Sequence, residues 1–255
     1  MIKSSVNFYY AGKRSIDYGI YNVAIDTRPF QEPFIAKRSI KEITTRFNYK
    51  PYFQNVVCEP LSFDLSFAIL DSWDDIKIRE IARWLSPDYY QPLYFEEDIN
   101  KIYYCMPIDT IDIIHNGLKQ GYITLTFRCD APWAYSQFYV TPVYDYSNNT
   151  TGVVLSIDNA GDLPLYPEIW ITKVGNGDVG IINQTNGGIE FKFTGLVDGE
   201  IVYVDNENEY IETSLSNTYR YANFNNNYLE LVVGTNDLFI TGACKLQFRY
   251  RFKRL

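Results

Sequence analysis

A chain of 255 residues, 46% of them hydrophobic, is long enough for one large or two modest domains and too apolar for wholesale disorder. Its net charge of −8 and isoelectric point near 4.8 argue against sequence-independent binding to duplex DNA, which depends on cations that neutralise phosphates. No apolar run approaches the roughly 18 residues of a membrane-spanning helix, and the opening MIKSSVNFYY lacks the apolar core of a secretory signal, so Sec export is not expected.

Residues 1–30, which include VNFYYAGKRSIDYGIYNVAI, read as short strands with a glycine turn. From Ile35 to Tyr49 apolar and polar residues mix, and the charges are mainly positive: Lys37, Arg38, Lys41, Arg46 and the adjacent Lys50 against Glu42. PLSFDLSFAIL then alternates, with Leu61, Phe63, Leu65 and Phe67 on one face and Ser62, Asp64 and Ser66 on the other, as in a half-buried strand. The period changes at IREIARWLSP. Ile78, Ile81, Ala82 and Leu85 fall at i, i+3, i+4 and i+7, one apolar stripe of a helix over about 74–86. Ser72 and Asp75 have capping-box spacing, Asp74 and Asp75 sit at the positive end of the helix dipole, and Pro87 blocks continuation. QPLYFEEDINKIYYCMPIDTIDII reads as a hairpin turning near Glu97 to Asn100. Asn116-Gly117 supplies a further turn, and GYITLTFRCDAPWAY is a strand ended by Pro132.

After Tyr135 the character shifts. Ser136 to Gly152 is rich in Tyr, Asn, Thr and Pro and reads as a linker. Beyond it short strands recur about every ten residues, separated by DNAGD, GNGD, NQTNGG, LVDGE, DNENE, NFNNN and GTND, the pattern of an antiparallel sandwich. The expectation is a mainly-β chain. Residues 1–140 form an α+β domain with one helix packed on a sheet, and residues 141–255 form a β-sandwich.

Motifs that carry chemistry find little support. GNGDVG (Gly175 to Gly180) matches G-x-G-x-x-G but is followed by strand-like IINQTNGGIEFKF rather than the helix a dinucleotide site needs, so a hairpin turn fits better. The carboxylates of YFEED (Tyr94 to Asp98) sit at a turn, in water, where nothing sets their pKa values apart as a glycosidase requires. DNENEY (Asp205 to Tyr210) has Tyr210 where a calcium loop has glycine. The single histidine, His115, lies beside a turn, and no G-x-S-x-G accompanies it. Cys58, Cys105, Cys129 and Cys244 form no CxxC pair and read as buried reduced thiols of a protein made in a reducing cytosol. No metal, cofactor or catalytic residue is expected. Aromatic content is 17%, with 23 Tyr, and tyrosine favours protein–protein contacts. The Lys37, Arg38, Lys41, Arg46 and Lys50 cluster is the candidate subunit contact. Trp170, opposite Ile169 and Ile171 in PEIWITK, is the candidate sugar-stacking residue if the chain is instead a carbohydrate-binding module.

The order of segments SFDLSFAIL, IREIARWL, YYQPLYFEED, GYITLTFRCDAPWAY, IDNAGDLPLYPEIWI and LELVVGTNDLFI resembles the distal tail protein (Dit) family of long non-contractile-tailed bacteriophages. The strand ending in CDAPWAY and the entry Asn159, Gly161, Tyr166-Pro167, Ile169 carry it most clearly. The resemblance implies a structural virion protein of the tail tip or baseplate, made in the host cytoplasm. It implies a homohexameric ring built by the N-terminal domains between the tail tube protein and the tail-associated hub. The C-terminal domain would be galectin-like and could dock receptor-binding proteins. Some longer relatives carry inserted carbohydrate-binding modules, for which this chain has no room. An acidic ring wall would let ejected DNA pass without trapping it. No membrane partner and no specific nucleic-acid binding are implied.

Overall fold

The computed structural model describes residues 5–24, 32–69, 73–109, 113–118 and 120–255. The chain divides into two compact units, Met1–Tyr135 with Leu255, and Ser136–Arg254.

The first unit contains β1 (Phe8–Tyr10), β2 (Lys13–Arg14), β3 (Ile20–Val23), β4 (Arg38–Ile43), β5 (Tyr52–Cys58), β6 (Ser62–Ile69), α1 (Asp75–Leu85), β7 (Gln91–Phe95), β8 (Asp98–Ile108), β9 (Ile113–His115), β10 (Gly121–Cys129) and β11 (Ala134–Tyr135). Its main sheet is antiparallel in the order β2-β1-β7-β8-β10-β6-β3, and among the described residues β4 pairs only with β5. The alternation in β6 fixes the register. Phe63, Leu65 and Phe67 lie opposite Phe127, Leu125 and Ile123 on one face, all buried. On the other face Ser66 bonds Thr124 at 3.1 Å and Thr126 donates to Asp64 at 2.7 Å, so that face is polar.

The helix covers the apolar face. Asp74 caps it by accepting from the N–H groups of Ile76 and Lys77, while Ser72 of the expected capping box lies outside the described residues. The expected stripe is corrected at one position: Ala82 is exposed, and the buried residues are Ile81, Trp84 and Leu85, with Ile78 half-buried. Trp84 decides the rotation. Its indole N–H donates to the Tyr10 carbonyl at 2.8 Å, and its ring stacks on Tyr18 at 4.5 Å and Phe8 at 5.9 Å. A helix turned toward Ala82 would leave that indole donor without its buried partner. The β7–β8 hairpin turns at Glu96–Glu97, earlier than expected, because Asp98 already pairs with Phe95.

The second unit is a two-layer sandwich of β12 (Tyr139–Val140), β13 (Tyr144–Tyr146), β14 (Val153–Asn159), β15 (Glu168–Lys173), β16 (Gly177–Asn183), β17 (Glu190–Leu196), β18 (Ile201–Asp205), β19 (Tyr210–Thr213), β20 (Gly234–Thr241) and β21 (Cys244–Tyr250). One sheet runs β12-β21-β15-β18-β19, with β13 also on β21, and the other β14-β20-β16-β17. Ile169, Ile171, Val202, Val204, Leu246 and Phe248 from the first meet Leu155, Ile157, Val179, Ile181, Phe191, Phe193, Leu238 and Ile240 from the second in one core. The stretch expected to be a linker, Ser136 to Gly152, is instead part of this unit, since β12 and β13 both pair with β21. Gly175 to Gly180 is not a hairpin either: β15 and β16 belong to different sheets, so the turn carries the chain across the sandwich.

Between Phe224 and Val233 the chain forms no regular strand, yet Leu229 and Leu231 are buried. Buried asparagine side chains satisfy its backbone in place of a ladder. Asn206 accepts from the Leu229 N–H at 2.8 Å and donates to the Pro167 carbonyl. Asn183 donates to the Glu230 carbonyl at 2.8 Å, and Asn159 to the carbonyls of Leu163 and Leu231 at 3.0 and 3.1 Å. Asn236 accepts from the Val232 N–H at 2.9 Å and donates to the Val232 carbonyl at 2.8 Å. Gly161 completes the Asn159 turn. A Cβ there would stand 2.8 Å from the Lys253 carbonyl oxygen, which accounts for the Asn159-x-Gly161 pattern.

A buried ion pair closes one end of the sandwich. Arg220 grips Glu200 with two bonds of 2.7 Å, and Thr213 donates to the same carboxylate at 2.6 Å. Burial alone would raise the Glu200 carboxyl, but the bonds from Arg220, Thr213 and the Val197 N–H outweigh it and hold its pKa below the usual range. A carboxyl with a depressed folded pKa contributes stability above its unfolded value, about 4.3, and loses it as pH falls through the folded value.

Two outcomes are expected. In urea titrations of the full chain, Trp84→Ala lowers stability by about 3–5 kcal/mol through the cavity and the lost bond to Tyr10, whereas the same substitution at exposed Arg83 changes it by under about 0.5 kcal/mol. Glu200→Gln strands Arg220 and costs roughly 3–5 kcal/mol at neutral pH; thermal melts of the wild type fall on acidification below about pH 4.3 more steeply than those of the variant.

Candidate assembly surfaces

The five cations singled out in the sequence come together on one element. Lys37 precedes β4, Arg38 and Lys41 lie on it, and Arg46 and Lys50 lie in the loop before β5. The sequence reading missed that β4 and β5 form an isolated ribbon. Every residue of both strands is exposed, and β4–β5 is a separate two-stranded sheet. Its base is anchored where Ala36 and Leu61 enter the core and the Glu59 N–H donates to the Lys37 carbonyl at 2.8 Å. From there it leaves the unit uncovered.

The ribbon carries exposed apolar side chains as well as charged ones. Ile40 pairs with Val56 and Ile43 with Tyr52 across the two strands, and a bulge between Lys41 and Glu42 brings Phe53 opposite Glu42. Directly paired residues share a side, so Ile40 and Val56 mark one face of the ribbon while Ile43 and Tyr52 mark the other. Ile40 and Phe53 are both 65% exposed, and Phe47 and Tyr49 in the loop are more so. Arg46 lies against the Phe47 ring at 5.4 Å. Among the described residues, Lys37 is the one of the five with a salt bridge, 3.0 Å from Glu59, and both partners are largely exposed, which makes it weak.

Trp170 lies on the outer face of its sheet, half-buried, while Ile169 and Ile171 are fully buried. Its ring is flanked by Tyr203 at 4.9 Å and by the Arg249 guanidinium at 5.8 Å. Arg249 is in turn held by Glu168, with bonds of 3.1 and 2.7 Å, and Tyr203 donates to Glu168 at 2.9 Å. This arrangement packs the indole against side chains of its own sheet.

The remaining motifs lie in turns and at strand ends. Glu96 and Glu97 form the exposed tip of the β7–β8 turn, and Asn7 donates to Glu96 at 2.8 Å. Asp205 accepts from the N–H groups of Glu207 and Asn208 at 3.1 and 3.0 Å, folding DNENEY into a turn between β18 and β19. His115 is exposed at the end of β9, edge-on to Trp73 at 6.1 Å. Among the described residues no three His, Cys, Asp or Glu side chains are grouped to hold a metal ion, and no helix is long and apolar enough to cross a membrane.

The chain is 33% identical over its whole length to the SPbeta prophage-derived protein YomH of Bacillus subtilis (strain 168), with 100% of both chains covered. Its fold is that of the Dit protein (gp 19.1) of phage SPP1, described as a paradigm of the hub adsorption apparatus in phages infecting Gram-positive hosts. The TM-score is 0.72 at 14% identity, covering 96% of this chain and 98% of that one. A component of the phage P2 baseplate in its activated, calcium-bound conformation is similar at a TM-score of 0.50 and 6% identity, over 95% and 97% of the two chains. Residues 3–131 match the model of a phage tail protein N-terminal domain and residues 133–250 that of a phage tail C-terminal domain, so the chain belongs to this family of phage tail proteins.

Proposed function

We propose that this tail protein is a non-enzymatic hub of the distal tail: six copies close into a ring that joins the tail tube to the tail tip and offers its second unit to host-adsorption proteins. The observation that carries this reading is the β4–β5 ribbon, exposed along its full length. A lone two-stranded ribbon is marginal in water, and burial of Ile40, Ile43, Tyr52, Phe53, Val56 and Val57 against a partner is worth on the order of 10 kcal/mol before association costs. Its charge points to the same partner. The stretch from Lys37 to Lys50 holds five cations and one anion in a chain of net charge −8, so the surface of another copy is acidic by comparison. A head-to-tail contact of this kind, repeated around a rotation axis, closes a ring. The fold shared with the Dit protein of SPP1 and the prophage origin of the YomH relative support a tail-tip position. The expected partners are further copies of the chain, the tail tube protein, the tail-associated hub and, on the second unit, receptor-binding proteins.

The test is solution mass. Light scattering on concentrated full-length protein is expected to give a closed oligomer of six copies, seen as rings in negative stain. Ile40→Asp with Phe53→Asp is expected to give single chains with an unchanged thermal midpoint. A wild type that stays single-chain at high concentration in the presence of tail components would overturn the reading.

A further inference from the structure

Two buried thiols of the first unit face each other across the sheet. Cys105 on β8 is in register with Cys129 on β10, both are completely buried, and both belong to the core under the helix. The hydrogen bonds around them define the kind of pair. The Cys129 N–H donates to the Leu61 carbonyl at 2.8 Å, away from β8, and the next residue, Asp130, donates to the Tyr104 carbonyl at 2.8 Å. Cys105 and Cys129 are therefore a non-hydrogen-bonded pair, the position where antiparallel strands approach most closely, with Cα atoms about 4.5 Å apart. Disulfides span Cα separations of roughly 4.4–6.8 Å, so the pair lies within bridging range. Burial, and next the hydrogen bond with Cys129, raise the Cys105 pKa, which agrees with two thiols in contact and keeps the Cys105 thiol inert while the unit is closed.

We propose that Cys105 and Cys129 are a latent cross-strand disulfide, a dithiol in the reducing cytosol where the chain folds and a bridge once the tail meets an oxidising medium containing small-molecule disulfides. The chemistry is two exchanges. One thiol, deprotonated as the sheet opens locally, attacks a small disulfide and forms a mixed disulfide, releasing one small thiol. The facing thiol loses its proton and attacks the protein sulfur of that mixed disulfide, which forms the Cys105–Cys129 bond and releases the second small thiol. The protein loses two electrons and two protons, and the small disulfide gains both. The bridge ties β8 to β10, the two strands at the centre of the sheet, and so hardens the unit that carries the ribbon.

The experiment uses full-length Cys58→Ser protein, which lacks the exposed competing thiol, incubated with oxidised glutathione at temperatures up to its unfolding midpoint. Peptide mapping is expected to find Cys105 linked to Cys129 with Cys244 still a thiol, and the thermal midpoint is expected to rise by several degrees and return on reduction. Adding Cys129→Ser is expected to leave Cys105 as a glutathione adduct, with no bridge. Adducts at Cys105 and Cys129 separately, unreacted thiols at the midpoint, or a bridge that lowers the midpoint would each overturn the proposal.

Discussion

The constraint on which the rest depends is the incompleteness of the β4–β5 ribbon. Two strands that, among the described residues, are paired only with each other leave their outer N–H and C=O groups in water, and both faces carry aliphatic or aromatic side chains. A protein that never met a partner would gain nothing by displaying Ile40, Phe53 and Tyr52. The positive charges on and beside the ribbon serve two ends. They discourage it from pairing with another ribbon of the same sign, and they draw it toward an acidic surface.

Such an arm is useful only if its base is rigid, and the first unit is built for that. The helix seals the apolar face of the sheet through one aromatic side chain, Trp84, whose indole bonds the backbone of β1 while its ring lies on Tyr18 and Phe8. Ala36 and Leu61, at the two ends of the arm, are part of this same core. Packing under the helix is thus transmitted to the place where the ribbon starts. The second unit is held differently, through buried amides that fix an irregular segment and through the Glu200–Arg220 pair.

Much of this was legible in the sequence, and the parts that were not share a cause. Phe63, Leu65 and Phe67 alternate because one face of β6 is buried and the other wet, so period and burial coincide. The helix was equally plain, yet its rotation was not. Ala82 fits the stripe by spacing, and only the carbonyl of Tyr10, far away in sequence, selects Trp84 instead. The ribbon was hidden because alternation reports the contrast between core and solvent, and β4 and β5 have no core on either side. The asparagines of DNENE signalled a turn correctly, but a single residue type cannot announce whether its amide will be exposed, as Asn208 is, or buried, as Asn206 is. The order of segments, by contrast, was enough to point to the tail-protein family that both domain matches show.

Hydrogen–deuterium exchange along the ribbon, followed as protein concentration rises, tests the central claim most directly. The account predicts that the amides of Arg38–Ile43 and Tyr52–Cys58 exchange fast in dilute protein and become protected as copies assemble, while those of β6 and β10 stay slow throughout. Fast ribbon exchange in particles already shown to be closed rings would contradict it, because the arm would then be bare in the finished assembly.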